Sequence, residues 1–152
     1  MKLDPDGGVV LSASDLTQSL RCEWALVRKL EWQLAIGPQP EVEDDPMNRL
    51  ASEIGKRHEL RLLETLREAH GGDVAEIPDP LVRGSEDDVD YFEKLDTAVA
   101  ETHQALADRK RVVFQAAFFD GSFQGFADFL VWNSEGFYEV YDSKLARSAK
   151  VS

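Results

Sequence analysis

The hydrophobic pattern of this chain changes its period near residue 111. Before that point, apolar residues recur every three or four positions, a spacing typical of helices with one buried face. A first helix is predicted from a cap at Ser12 or Ser14 to about residue 36, and Gly37 ends it. Its apolar stripe consists of Leu16, Leu20, Trp24, Val27, Leu30 and Leu34.

Two further helices are predicted before the change in period. The pair Asp45 and Pro46 is a typical helix start, and the glycines after His70 end this second helix. An acidic third helix is predicted over about 88–109, and the connection between the two is predicted to be irregular, with a short strand near 74–77. The apolar stripe of the second helix consists of Leu50, Ile54, Leu62, Leu63 and Leu66.

From residue 111 onward, the apolar residues alternate or run continuously, as they do in strands. Three such segments occur, VVFQAAFF, FQGFADFLVW and FYEVYDSKLA, and the turn sequences DG and NSEG separate them. They predict three antiparallel strands. The whole pattern therefore predicts a mixed α/β (α+β) fold in which helices flank a three-stranded, mainly antiparallel sheet.

The length of 152 residues fits a single domain over 1–152. The last residues, LARSAKVS, resemble the first turns of another helix. We therefore expect that the domain is incomplete at its C-terminal end and belongs to a longer protein.

Composition and charge narrow the classes of function. The only cysteine is Cys22, and the first residues have neither the basic nor the apolar stretch of a signal sequence, which predicts a cytoplasmic protein with no membrane partner. The net charge of −12 argues against a protein that coats nucleic acid. However, residues 73–108 carry eleven acidic and two basic residues, a net charge of −9, so the rest of the chain is closer to neutral.

Charged residues occur where the pattern predicts buried strands. Asp128 lies in the second strand segment, and Asp142 and Lys144 lie in the third, each beside large apolar residues. One interpretation is structural: Asp142 pairs with Lys144, and Asp128 accepts backbone hydrogen bonds. The other is a site for Mg²⁺ or Mn²⁺, because these ions prefer carboxylate oxygens and a nearby ammonium group can stabilise developing negative charge.

His58 is a fourth residue of interest. It lies four residues after Ile54 and four before Leu62, which predicts a place on the core-facing stripe of the second helix. A single histidine there is more often a hydrogen-bonded core residue than a ligand. Its occurrence together with the two aspartates favours a role in the same site.

These residues form three motifs. The sequence GKRH ends at His58 on a predicted helix, GFAD ends at Asp128 on a strand, and DSK runs from Asp142 to Lys144 on the next strand. In order, element type and spacing they resemble the first three motifs of the RecB-like nucleases, a branch of the PD-(D/E)XK superfamily that includes the CRISPR-associated exonucleases. The resemblance covers about residues 14–150.

This resemblance implies a restriction-endonuclease-like core and metal-dependent hydrolysis of DNA in repair, recombination or defence. It implies that His58, Asp128, Asp142 and the carbonyl oxygen of Ser143 bind Mg²⁺ or Mn²⁺. It gives Lys144 the role of orienting the attacking water or stabilising the transition state. A helicase domain or subunit is an implied partner. The alternative is a non-catalytic DNA-binding or scaffold module that retains the fold.

Three features depart from the family pattern. Its members commonly have a later helix with Gln and Tyr four residues apart, and this chain ends before one occurs. Some members bind an iron–sulfur cluster, for which Cys22 matches the first ligand but the remaining cysteines are missing; the alternative is that Cys22 is a buried helix residue. The acidity opposes DNA binding, although basic residues around His58 and after Asp142 can form a local basic rim or merely a solvated face. They are Arg49, Lys56, Arg57, Arg61, Arg67, Lys144, Arg147 and Lys150.

Overall fold

The computed structural model describes residues 1–41, 46–80 and 88–143. The helices in these residues are α1 (Ala13–Arg21), α2 (Glu23–Gln33), α3 (Pro46–His70) and α4 (Asp88–Ala107), and a short 3₁₀ turn spans Gly71–Asp73. The strands are β1 (Lys2–Leu3), β2 (Val9–Ser12), β3 (Val74–Glu76), β4 (Val112–Phe119), β5 (Phe123–Trp132) and β6 (Tyr138–Tyr141).

The strands form one mixed sheet in the order β1-β2-β5-β4-β3, and β6 also pairs with β5. The three predicted C-terminal strands are confirmed as β4, β5 and β6, with antiparallel pairing. The prediction of a three-stranded sheet was wrong, because β2 joins β5 and β3 joins β4, both in parallel. β1 and β2 have two and four residues, which is too short for a period to be read from the sequence.

Helices pack on both faces of this sheet. Because successive residues of a strand point to opposite faces, Val113 and Leu130 pack with Tyr91 and Leu95 of α4, whereas Val112 and Phe129 pack with α3. Leu63 anchors α3 and is 2% exposed. Thr102 ties α4 to β4, because its hydroxyl accepts the Ala117 N–H at 3.0 Å and donates to the Ala98 carbonyl at 2.8 Å. The mixed α/β class predicted from the pattern is confirmed.

The first predicted helix is divided in two. α1 ends at Arg21, Cys22 is extended with φ −160° and ψ 101°, and α2 begins at Glu23. The start is as expected, since Ser12 and Asp15 cap each other's backbone in a capping box. α3 and α4 lie where the second and third helices are predicted. Within the described part of the chain, no helix is both long and apolar enough to cross a membrane.

Candidate functional site

The site begins at the edge of β5 that carries both β2 and β6. β2 pairs with the start of this strand, at Phe123 and Gln124, and β6 pairs with its end, from Phe129 to Trp132. No strand among the described residues covers the edge at 125–128 between them. Asp128 is therefore at a gap in the sheet edge, where a polar side chain can remain charged without being enclosed.

Asp128 and the Asp142–Ser143 segment come together at this gap. Continuing the register that pairs Phe129 with Tyr141 by one residue places Asp142 opposite Asp128. The Ser143 N–H donates to the Asp128 carboxylate at 2.9 Å. The sequence-based prediction that the two aspartates meet across neighbouring strands agrees with this arrangement. The hydrogen bond also agrees with the structural alternative, in which Asp128 accepts backbone hydrogen bonds.

The two aspartates differ in burial. Asp128 is half-buried, and Asp142, just past the end of β6, is exposed, so the prediction that Asp142 lies within a buried strand was wrong. Ser143 is half-buried, but its Oγ atom is fully buried and has no hydrogen-bond partner among the described residues. A buried hydroxyl without a partner often marks the place of a water or an ion. Lys144 lies outside the described residues.

Two residues beside Asp128 were not predicted from the sequence. Gln115 of β4 lies between the pairs Phe114–Phe129 and Ala116–Ala127, which places it opposite Asp128. Its backbone is left-handed, with φ 58°, a conformation that costs a non-glycine residue about 1 kcal/mol. Alternation would turn Gln115 toward α4 together with Val113. Instead, its amide donates to the Glu59 carboxylate of α3 at 3.3 Å.

Glu59 thus faces the sheet near the two aspartates. Burial raises the pKa of Glu59, the charges of Asp128 and Asp142 raise it further, and Lys56 and His58 oppose this effect. One signal in the sequence points to each missed residue. Gln115 is the only polar residue in VVFQAAFF, and Glu59 lies one helical turn before Leu63.

His58 does not lie on the core-facing stripe of α3, so that prediction was wrong. Leu63 is buried and marks the face of α3 that packs on the sheet. Glu59, four residues before Leu63, and Lys56, three residues before Glu59, lie on the same face. His58 is exposed, as is Ile54 one turn earlier. The His58 side chain therefore points about 100° around the helix axis from the side chain of Glu59. Its assignment as a metal ligand stays a prediction.

A cleft of about 600 Å³ lies between α3 and the sheet, beside Glu59 and Gln115. Gly55 and Lys56 line its helical wall, and Phe114 and Ile77 line its other side. A Cβ atom added at Gly55 would meet no atom within 4 Å. Packing within the described chain therefore does not require glycine at this position, although glycine costs a helix interior about 1 kcal/mol relative to alanine.

Cys22 is exposed at the break between α1 and α2, so the expectation of a buried helix residue was wrong. The break leaves it in an extended conformation instead of on a packed helical face. Its assignment as an iron–sulfur ligand stays a prediction, and no second cysteine occurs in the sequence.

The oxygen donors at the gap are better suited to Mg²⁺ or Mn²⁺ than to a metal ion whose ligands all come from the protein. Within residues 1–41, 46–80 and 88–143, no group of three or more His, Cys, Asp or Glu side chains is arranged to hold a metal ion. Mg²⁺ is usually held by one or two carboxylates and completes its shell with water and substrate phosphate oxygens. Asp128, Asp142 and the Ser143 carbonyl offer oxygen donors of this type.

Comparisons with known proteins do not assign this chain to a family. No protein-family model, curated protein or solved structure matches the chain.

Proposed function

We propose that this chain is a metal-dependent DNA nuclease of the RecB-like type. The observation that carries the proposal is the meeting of Asp128 with the Asp142–Ser143 segment at the gap in the sheet edge, held by the 2.9 Å hydrogen bond from Ser143. Two acidic residues on neighbouring strands, with an exposed approach, form a site that a hydrated divalent cation and a phosphodiester can reach together.

Each residue has a distinct role in this proposal. Asp128 and Asp142 bind the cation, and the Ser143 carbonyl is a further ligand. The family resemblance also gives His58 as a ligand from the helix side, although its side chain is exposed and Glu59 is the α3 residue that faces the sheet. When bound, Mg²⁺ or Mn²⁺ lowers the pKa of a water and polarises the phosphate. Lys144 orients the attacking water or stabilises the negative charge that grows on the phosphate oxygens.

The cleft beside Glu59 supports an approach for the substrate along α3. Lys56 contributes positive charge to its wall, beside the acidic Glu59 and Asp79, and Arg57 and Arg61 are exposed on the same helix. Arg67 contributes less, because it makes a two-point contact with Glu76 at 2.7 and 2.6 Å. The basic rim is therefore local, in a chain whose net charge is −12. Local charge is sufficient for a substrate that is also held through the cation.

The experiment is an assay of the full-length protein on end-labelled single-stranded and double-stranded DNA with Mg²⁺ or Mn²⁺. Asp128→Asn should abolish cleavage and weaken Mn²⁺ binding in calorimetry. Lys144→Met should lower the rate by about 100-fold or more and leave Mn²⁺ affinity and melting temperature nearly unchanged, because the ammonium group acts only in the transition state. Asp96→Asn, an exposed change on α4, is the control.

Three results would contradict the proposal or one of its roles. Cleavage by Asp128→Asn at the unmutated rate would show that Asp128 is not part of the catalytic site. Metal-independent DNA binding without cleavage by the unmutated protein would instead indicate a non-catalytic DNA-binding module. A Lys144→Met protein with a clearly lower melting temperature would identify Lys144 as a structural partner of Asp142, whose side chain is exposed.

A further inference from the structure

The left-handed residue in the middle of β4 coincides with the candidate site. Gln115 has φ 58°, is flanked by paired residues on both sides, and stands opposite Asp128 on β5. Glycine would adopt this conformation without strain, and the loss of a side chain would cost the fold nothing if Gln115 were only a bend. The chain has a glutamine here, so the side chain has a use that offsets the strain.

That use is visible in what the side chain contacts. The left-handed backbone turns the Gln115 amide toward α3, where it donates to Glu59 at 3.3 Å. The same distortion places Ala116 in the core on the α4 side, although alternation from Phe114 would place it on the α3 side. The backbone is thus shaped so that one amide reaches across from β4 to α3.

Glu59 lies near the aspartates, because its hydrogen-bond partner Gln115 stands opposite Asp128 on β5. It lies on the stripe that leads to Leu63, and it lines the cleft together with Gln115. The neighbouring carboxylates repel Glu59, and the hydrogen bond from the Gln115 amide holds it in place. A fixed Glu59 can accept hydrogen bonds from the waters that complete the shell of a hydrated cation.

We propose that Glu59 is a further acidic residue of this cation site, acting through water, and that Gln115 is its positioning residue. The inference rests on the proposed function only in that it requires a divalent cation at Asp128 and Asp142. Cleavage of DNA is not required for it.

Mn²⁺ binding by calorimetry tests the inference apart from nuclease activity. Glu59→Gln and Gln115→Leu should each weaken Mn²⁺ binding by roughly 10-fold, the scale found when an outer-shell partner of a metal site is changed. Because both changes act through one hydrogen-bonded pair, the double variant Glu59→Gln with Gln115→Leu should bind no more weakly than Glu59→Gln alone. Gln104→Leu, an exposed change on α4, is the matched control.

A second pair of variants separates positioning from folding. Gln115→Gly relieves the left-handed strain and removes the amide, so it should keep or raise the melting temperature and still weaken Mn²⁺ binding. Gln115→Asn, which tolerates this backbone conformation and retains an amide, should bind Mn²⁺ more tightly than Gln115→Gly.

The outcomes are distinct. Unchanged Mn²⁺ affinity in Glu59→Gln and Gln115→Leu would overturn the inference even if the unmutated protein cleaves DNA. Weakened Mn²⁺ binding in a protein that cleaves no DNA would support the inference and contradict the proposed nuclease. Weak binding by Gln115→Gly only after a loss of melting temperature would identify Gln115 as a structural residue and overturn its positioning role.

Discussion

At the scale of single residues, Asp15 shows how a charge is kept inside this fold. Its side chain is fully buried, and it accepts hydrogen bonds from the Met1 amino group, from Lys29 at 2.6 Å and from the Ser12 hydroxyl at 2.6 Å. Burial by itself would raise the pKa of Asp15, but these donors hold it well below its usual range. Burial lowers the pKa of the Met1 amine despite Asp15. Lys29 and Ser12 therefore secure the charge of Asp15 even when the amine is neutral.

The first prediction at this scale is that Asp15→Asn lowers the free energy of unfolding by about 3 kcal/mol at pH 7, because it leaves the buried Met1 amine and the half-buried Lys29 without their partner. A carboxylate with a lowered pKa stabilises the fold above the pKa of the unfolded chain, and this stabilisation is lost as the pH falls below about 4. Denaturant titrations from pH 7 to pH 2 should therefore show a smaller acid loss in Asp15→Asn than in the unmutated protein. Asp96→Asn is the exposed control, and an equal acid loss in both variants would contradict the prediction.

At the scale of elements, α3 carries both structure and the candidate site. Its C-terminal half is held by Leu63 and Leu66 against the sheet, and its N-terminal half borders the cleft. The side chains of Met47 and Leu50 remain exposed. The half of the helix with the weaker packing is thus the half that presents Gly55 and Lys56 to the proposed substrate.

The prediction for this element is that Gly55→Ala stabilises the protein by up to about 1 kcal/mol and weakens DNA binding or cleavage. The gain in stability follows from the higher helix propensity of alanine, since its Cβ would meet no atom of the described chain. The loss of DNA binding or cleavage follows if the substrate passes close to the helix backbone at Gly55. Thr65→Ala on the exposed side of α3 is the matched control, since it raises helix propensity away from the cleft. A Gly55→Ala protein that is stabilised and fully active would show that no substrate passes there.

At the scale of the whole molecule, the acidity is concentrated on the segment that supplies α4. This helix buries Tyr91, Phe92, Leu95 and Ala98 against one face of the sheet and exposes Glu93, Asp96 and Glu101. α3 and the candidate site are on the other side and at the edge. The fold thus places the exposed acidic residues of α4 away from the candidate site, although Glu59 and Asp79 line the cleft itself.

The prediction at this scale concerns the core. Leu95 is 0% exposed and Leu20 is 89% exposed, so the same change should have very different effects at the two positions. Leu95→Ala should lower the free energy of unfolding by about 2 to 5 kcal/mol, whereas Leu20→Ala should change it by about 0.5 kcal/mol or less. Chemical denaturation measures both. Equal losses would show that Leu20 is buried in solution and that α1 has a partner there.

The sequence by itself determined the elements that have a clear period. α3, α4 and the strands β4 to β6 follow from apolar spacing, from the proline at residue 46 and from the turn sequences, because these signals are local. The meeting of Asp128 with Asp142 follows as well, since a tight turn between two antiparallel strands fixes which residues face each other.

Only the tertiary structure decided the rest. Glu59 and Gln115 are fifty-six residues apart, and their contact depends on how α3 lies on the sheet and on one left-handed residue. The break at Cys22, the parallel pairing of β2 and β3, and the exposed position of His58 likewise depend on contacts between distant segments. A hydrophobic period gives the direction of a buried face only to within about one residue on a helix, or about 100°. That margin is enough to exchange His58 for Glu59.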